Sequence, residues 1–427
     1  MRIPGIRSAF VKNFSVLVTG TAVAQAIPVL LQPLLRRVFD ADLFALFAVY
    51  NSVSSILIVM TTLRYEMAVV LPARDRDAIH VTWLALAINL CMALLFFLLV
   101  AFLPHSLSRW LAWPEQGRLW LYLLPLAVML FSAAHTLNYW LIRKKAFRAS
   151  AMNRVARRVS EGAVQSGGGL AGWQGGLLWG ELIGRGAYLM MAFGQALRTG
   201  FSIRHVHPAK LKEVAVRYKE FPIYQTIPAL LNTLSLMVPV LLINSYYSAK
   251  TTAEFDLCRQ VLLLPLALIT TAMSQLLLQK YAEQRNRQQS IMPGFLKLTL
   301  VNTLFATAVV IFFRLTGEPL FVLLFGEQWA NAGTYAALLA PAFMIQFVVS
   351  PLSTLIIALE KIKLGALWQV LMFAAILSLH WFRHLDEKDF LLTFSFIIIG
   401  MYLIYWFLLF VIVVRYEKSR QQSQKKV

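Results

Sequence analysis

Charge is scarce in this sequence. Asp, Glu, Lys and Arg make up only 14% of its 427 residues, hydrophobic residues make up 59%, and the mean hydropathy is +0.65. A soluble globular chain carries about 25% charged residues. Apolar runs of roughly 20 residues, the length that crosses a bilayer, stand in the place of that charge. The longest polar stretch, about 197–221, is too short to bury a core, so a soluble domain of useful size is excluded. Acid is scarcer than base, with 20 Asp and Glu against 40 Lys and Arg. On a soluble protein that excess would point to nucleic acid. Here the charges sit mostly in short loops, where a topology signal accounts for them, and nucleic acid is not an expected partner. Cysteine is nearly absent. Cys91 and Cys258 lie inside apolar segments, which excludes a disulfide framework and gives no metal site. No glycine-rich loop ends in Gly-Lys-Ser/Thr, so ATP hydrolysis by this chain is excluded. No paired carboxylates stand ready for acid–base work, and the longest outside loop, about 104–117, offers only His105, Arg109 and Glu115. Nothing in the sequence requires a cofactor.

What is present is a series of apolar segments along the whole chain. They predict an all-α polytopic membrane protein of about twelve helices. The first six spans are expected near 13–35, 43–63, 78–103, 118–142, 151–173 and 175–197. The second six are expected near 222–244, 256–279, 295–316, 332–358, 364–382 and 390–414. Met1 to Lys12 is basic and runs into a full-length apolar segment with no small-residue cleavage site, which reads as an uncleaved first span. The fifth and sixth spans are ambiguous, because Arg154, Arg157, Arg158 and Glu161 lie in one and Glu181 and Arg185 in the other. Basic residues constrain the pair. With the N-terminus cytoplasmic, most Lys and Arg fall on the inside, including Arg74 and Arg76, Arg143 to Arg148, Arg198 to Lys219, Lys280 to Arg287, Lys361 and Lys363, and the tail from Arg415. Dropping only one ambiguous span would reverse everything after it and violate the positive-inside bias. Both cross or neither does, and both termini are expected in the cytoplasm.

The two halves echo each other. Asp42-Leu-Phe44 and the helix ending near Arg64-Tyr65-Glu66 correspond to Ala253-Glu-Phe255 and the helix ending near Lys280-Tyr281. Leu123-Leu-Pro125 similarly corresponds to Leu339-Ala-Pro341. The offset is about half the chain. Six spans per half is an even number, so both halves enter the bilayer in the same sense. This predicts two pseudo-symmetric six-helix bundles in parallel repeat. The first bundle covers 1–200, a cytoplasmic linker 201–221, the second bundle 222–414 and a basic tail 415–427. The repeat also favours crossing by the two ambiguous helices.

Several motifs carry a family likeness: Val16-Leu-Val-Thr-Gly-Thr-Ala-Val-Ala-Gln-Ala-Ile-Pro28, Thr62-Leu-Arg-Tyr-Glu-Met-Ala-Val-Val-Leu-Pro72, Leu137-Asn-Tyr-Trp-Leu-Ile-Arg143, Gly176-Leu-Leu-Trp-Gly180, Phe325-Gly-Glu-Gln-Trp329 and Ser350-Pro-Leu-Ser353. In this order the chain resembles the polysaccharide-type flippases of the multidrug/oligosaccharidyl-lipid/polysaccharide superfamily, over nearly its full length. The resemblance implies transport of a lipid-linked oligosaccharide, such as an O-antigen, capsule or exopolysaccharide repeat unit on undecaprenyl pyrophosphate, across the bacterial inner membrane. It also implies membrane lipids, a glycan polymerase and other assembly proteins as partners. It further makes Arg64 and Glu66 candidates for the cavity or the cytoplasmic gate; interfacial anchoring is the other role open to them.

The residues themselves offer further candidates. Arg154, Arg157, Arg158, Glu161 and Gln165 share one helix face. An arginine at the bilayer centre costs about 2.5–3.5 kcal/mol on insertion scales, so three facing lipid would cost roughly 8 kcal/mol. They therefore face protein, a wet cavity lining that attracts pyrophosphate, or the cytoplasmic interface by snorkelling. Glu181 and Arg185 form an i, i+4 pair in the favoured order, either self-neutralising or with Arg185 turned into a cavity. Asp256 and Arg259 lie one turn apart, as a structural pair or an ion-coupling gate. Pro28 and Pro33 in the first span, and Pro228 and Pro239 in the seventh, are candidate hinges. Kinked helices at matching repeat positions suit alternating access. A drug/cation antiporter of the same superfamily and, further off, a membrane glycan polymerase or ligase are the alternatives. An antiporter would want buried carboxylates, yet arginines outnumber acids within the spans.

Overall fold

The computed structural model describes residues 4–114, 117–202 and 207–424, with side chains from Thr19 to Gln422 except Leu264. Arg2, Glu115, Arg204 and tail residues 425–427 lie outside that range, as do the side chains of Arg7 and Lys12. The described secondary structure is entirely helical. Apolar side chains in a bilayer leave no water to satisfy the backbone, and a helix satisfies it internally.

The chain divides into two compact units, 1–245 and 246–427. Unit 1 holds α1 (Pro4–Val38), α2 (Ala41–Thr61), α3 (Tyr65–Ala68), α4 (Asp75–Phe102), α5 (Pro104–Trp110), α6 (Arg118–Arg143), α7 (Phe147–Leu170), α8 (Gly176–Arg198) and α9 (Pro208–Arg217). It also holds nearly all of α10 (Ile227–Tyr246), which the repeat assigns to the second half. Unit 2 holds α11 (Ala249–Asn286), α12 (Met292–Phe325), α13 (Ala330–Val349), α14 (Thr354–Ala358), α15 (Ile362–Leu377) and α16 (Glu387–Gln424). Nine of the described helical stretches are long and apolar enough to cross a membrane: α2, α4, α6, α10 with its preceding turn, α11, α12, α13 with α14, α15 with its following turn, and α16. The others of comparable length, α1, α7 and α8, are not among them. Helix α7 carries Arg148, Arg154, Arg157, Arg158 and Glu161.

Helix ends are set by identifiable devices. At the α6–α7 corner, Lys145 adopts φ +56°, Ala146 N–H donates to Leu141 O at 2.8 Å and Lys145 N–H to Ile142 O at 2.9 Å. This is the paired closure that ends a helix through a left-handed residue. Gly172 repeats it at the other end of α7, with φ +73° and Trp173 N–H donating to Gly168 O at 2.8 Å. Ser248 caps α11 by accepting from Thr251 N–H at 3.0 Å. Glu417, near the end of α16, accepts from the N–H groups of Ile291 and Met292 at 2.7 and 3.1 Å, where a carboxylate complements the start of α12.

Within unit 1, Asp75 at the head of α4 receives Arg143 at 3.0 Å and Lys144 at 2.7 Å. Tyr65 Oη donates to Ala215 O at 2.9 Å and so ties α3 to α9. Segments that the basic-residue pattern puts on one side thus meet at one end. Within unit 2, α12 and α13 cross at Gly317 and Gly333, where a Cβ on Gly333 would collide with Gly317 O. Only glycine permits that approach.

Candidate functional site

The charged face of α7 turns toward α8 and meets its acid. Glu181 Oε1 accepts from Arg185 Nε at 2.7 Å and from Arg157 Nη2 at 2.9 Å. Glu161 accepts from Arg158 Nη1 through both oxygens at 2.9 and 2.8 Å, and Arg157 Nε stands 4.0 Å from it. Gln165, one turn further on, donates to Leu177 O of α8 at 3.0 Å. Arg185 and Glu181 are 3% exposed, Arg157 14% and Arg158 29%, so the network runs from a buried end at Arg185 to a more exposed one at Arg158. Of the settings the sequence leaves open, Arg157 and Arg185 take the first and face protein. The second guanidinium arm of Arg185 donates to Ser54 Oγ of α2 at 2.7 Å. Its plane lies 5.7 Å from the Tyr50 ring and 5.8 Å from the Phe131 ring, and Arg157 is 4.8 Å from Phe131. These distances are within reach of cation–π attraction.

The network depends on close contact between α7 and α8, which Gly176, Gly180 and Gly184 provide at four-residue spacing. A Cβ on Gly184 would lie 2.8 Å from Glu161 Cβ and 2.9 Å from Arg157 O, and one on Gly180 would lie 2.9 Å from Glu161 O. Small residues spaced by four are a recognised means of bringing membrane helices together. That spacing is visible in the sequence, and reading Gly176 and Gly180 only as part of a family motif missed it. Tyr50, Ser54 and Phe131 carry no local signal, because their partners lie far along the chain.

Arg154 differs from its neighbours. Its partners are hydroxyls, Thr21 Oγ1 of α1 at 2.7 Å and Tyr188 of α8, rather than a carboxylate. Beside it, α1, α7 and α8 border an open groove of about 860 Å³. Val23, Met152, Val155, Val159 and Met191 line it, with Arg148 as its cation. Helix α7 is therefore two-faced: a polar stripe packs into unit 1, and an apolar stripe faces the groove.

The remaining candidates are dispersed. Arg64 and Glu66 do not close a continuous second helix, on which they would lie far apart. Helix α2 ends at Thr61, and Leu63 and Arg64 take φ +47° and +63°. This break swings Arg64 to 3.6 Å from Glu66, which also accepts from Thr62 Oγ1 at 2.5 Å. In unit 2, Asp256 receives Arg259 at 3.0 Å and Gln260 at 2.6 Å. Pro28 and Pro33 lie inside α1, and Pro239 lies inside α10. Pro228 is the second residue of α10, directly after a wide π-turn at Pro222–Thr226. A proline cannot donate to the preceding turn, and such widened turns are found mostly as single bulges. No group of three or more potential metal ligands occurs among the described residues.

A family model described as "Polysaccharide biosynthesis protein" matches residues 34–334. The chain belongs to that family. The teichuronic acid biosynthesis protein TuaB of Bacillus subtilis (strain 168) is 21% identical over 148 residues, which span 35% of this chain and 31% of TuaB. An inward-facing multidrug resistance MATE family transporter of the MOP superfamily superposes with TM-score 0.74 at 11% identity, covering 95% of this chain and 98% of that one. The lipid II flippase MurJ in an inward closed conformation superposes with TM-score 0.71 at 10% identity, covering 95% and 90%. The family is a polysaccharide one, and the fold is that of MOP-superfamily membrane transporters.

Proposed function

We propose that the chain is a flippase that carries an undecaprenyl-pyrophosphate-linked oligosaccharide from the cytoplasmic to the periplasmic leaflet of the inner membrane. Helices α1, α7 and α8 cross together with the nine apolar stretches, which makes twelve spans in two bundles with both termini cytoplasmic. Transport proceeds by alternating access, with α1 and the α10 region bending at Pro28, Pro33, Pro228 and Pro239. The observation that carries this reading is a cation-rich helix face back to back with an apolar groove on α7. A pyrophosphate head and a polyprenyl tail require that combination in one place. The four arginines outnumber the two glutamates, and both glutamates are already held by arginine. A cation antiporter needs carboxylates free to take a cation, so the pairing favours anionic cargo. Arg154, Arg157, Arg158, Arg185 and Arg64 are the proposed head-group residues, and Glu66, Glu181, Asp256 and Arg259 the proposed gating groups. A glycan polymerase and other assembly proteins would take the product on the far side.

A strain lacking the protein should accumulate lipid-linked repeat units on the cytoplasmic leaflet, and the cloned gene should restore their export. Unpolymerised units on the outer face of the deletion strain would point to a polymerase instead.

A further inference from the structure

Unit 2 contains a basic cavity of its own. The end of α11, the 359–361 turn and the end of α16 enclose about 310 Å³ lined by Arg285, Lys361 and Arg415, with Leu359, Leu364 and Ile412 as its apolar wall. The turn is rigidly built. Glu360 takes φ +57°, while Lys361 N–H donates to Ile356 O at 2.7 Å and Glu360 N–H to Ile357 O at 3.1 Å. This closure fixes where Lys361 leaves α14. Arg285 is committed to its surroundings, donating to Ala358 O at 3.1 Å and to Glu360 at 2.8 Å. Glu360 is the carboxylate beside the site; it is 70% exposed, and the adjacent guanidinium holds it below the usual carboxylate range. Tyr416 is anchored by donation to Gln289 O at 3.0 Å, which orients the α16 face bearing Ile412, Arg415 and Ser419. Neither Lys361 nor Arg415 forms a close ion pair among the described residues, and the Lys361 charge acts on the neighbouring Glu360 only as a lesser addition to that of Arg285. Two exposed cations without a close ion pair, above an apolar wall, match an anion attached to a hydrocarbon chain, and basic pockets between membrane helices bind such head groups.

We propose that this cavity binds the phosphate head group of an anionic phospholipid, with Lys361 and Arg415 on the phosphate and Leu359, Leu364 and Ile412 against the upper acyl chain. The site is separate from the cargo-binding residues proposed above and does not rest on them. An anchored lipid here would tie α11, α14 and α16 together at one end of unit 2.

The test uses full-length protein in neutral detergent, with thermal unfolding followed as phosphatidylglycerol, phosphatidylcholine or inorganic phosphate is added. Phosphatidylglycerol alone should raise the melting temperature. The Lys361→Gln/Arg415→Gln variant should need about thirtyfold more of it, because each surface cation contributes about 1 kcal/mol to anionic-lipid attraction. Both side chains are exposed, so the lipid-free melting temperature should not change, and Lys361→Arg/Arg415→Lys should retain the response. Equal stabilisation by phosphatidylcholine, equal stabilisation by inorganic phosphate, or an unaltered response in the Gln variant would each overturn the proposal.

Discussion

Glu181 is the residue on which the α7–α8 network turns, because a single carboxylate oxygen satisfies both Arg157 and Arg185. Replacing it with Gln leaves the buried Arg185 guanidinium without a counter-charge and Arg157 with only Glu161, 4.0 Å from its Nε. Breaking a buried ion pair from one side costs about 3–5 kcal/mol. Glu181→Gln should therefore melt clearly lower than wild type in detergent, and adding Arg185→Met should recover part of the loss. Full stability in the single variant would show that water already reaches both arginines. Arg154 should behave differently, since the hydroxyls of Thr21 and Tyr188 are weaker partners and removing the charge leaves no buried carboxylate behind. Arg154→Gln should keep its melting temperature but lower export of lipid-linked repeat units by about tenfold or more, the worth of a hydrogen bond to a charged group. The sequence alone identified these arginines and the Glu161 register on one helix face, because helical spacing is local. It could not identify Ser54, Tyr50 or Phe131, which meet Arg185 only through packing of α2 and α6 against α8.

At the scale of the element, α7 and α8 act as one hairpin closed by glycine. Gly184→Ala would bring a methyl group within 3 Å of both Glu161 Cβ and a backbone oxygen. Overpacking of this kind costs about 1–3 kcal/mol. Gly186 and Gly194 lie on the same helix with open space beside them, so their alanine variants should melt like wild type. A drop for Gly184→Ala and none for the controls is the expected pattern; equal effects would mean that helix contact is not the cause. The hinges also belong at this scale. Pro28→Ala and Pro228→Ala should slow transport without unfolding the protein, and unchanged transport in the double variant would remove the hinge role. Apolar run lengths already give most of the helices. The break at Thr61 was hidden because Leu63 and Arg64 adopt left-handed conformations without the glycine that usually marks them.

At the scale of the molecule, the proposed flippase crosses the membrane twelve times. Run length and composition support nine stretches; the basic-residue pattern requires that α7 and α8 both cross or neither does, and the repeat favours twelve. The charges of α7 and α8 keep two of the remaining three helices out of the nine, although Glu161 and Glu181 pair with three of the arginines inside unit 1; the third, α1, has side chains described only from Thr19. Alkaline phosphatase fused after Gly172 should be active, while fusions after Arg143 and after Arg198 should be inactive. Inactivity at all three positions would put the hairpin outside the bilayer.

The central claim is that the cationic face of α7 meets the anionic head of a lipid-linked glycan. Its most direct test is thiol labelling of Arg154→Cys in a protein with Cys91 and Cys258 replaced by Ser, with and without lipid-linked oligosaccharide. The account predicts that a water-soluble, membrane-impermeant reagent modifies position 154 and that the glycan lipid protects it, whereas undecaprenol without the pyrophosphate does not. A position 154 that never reacts, or that reacts equally with and without the glycan lipid, would contradict it.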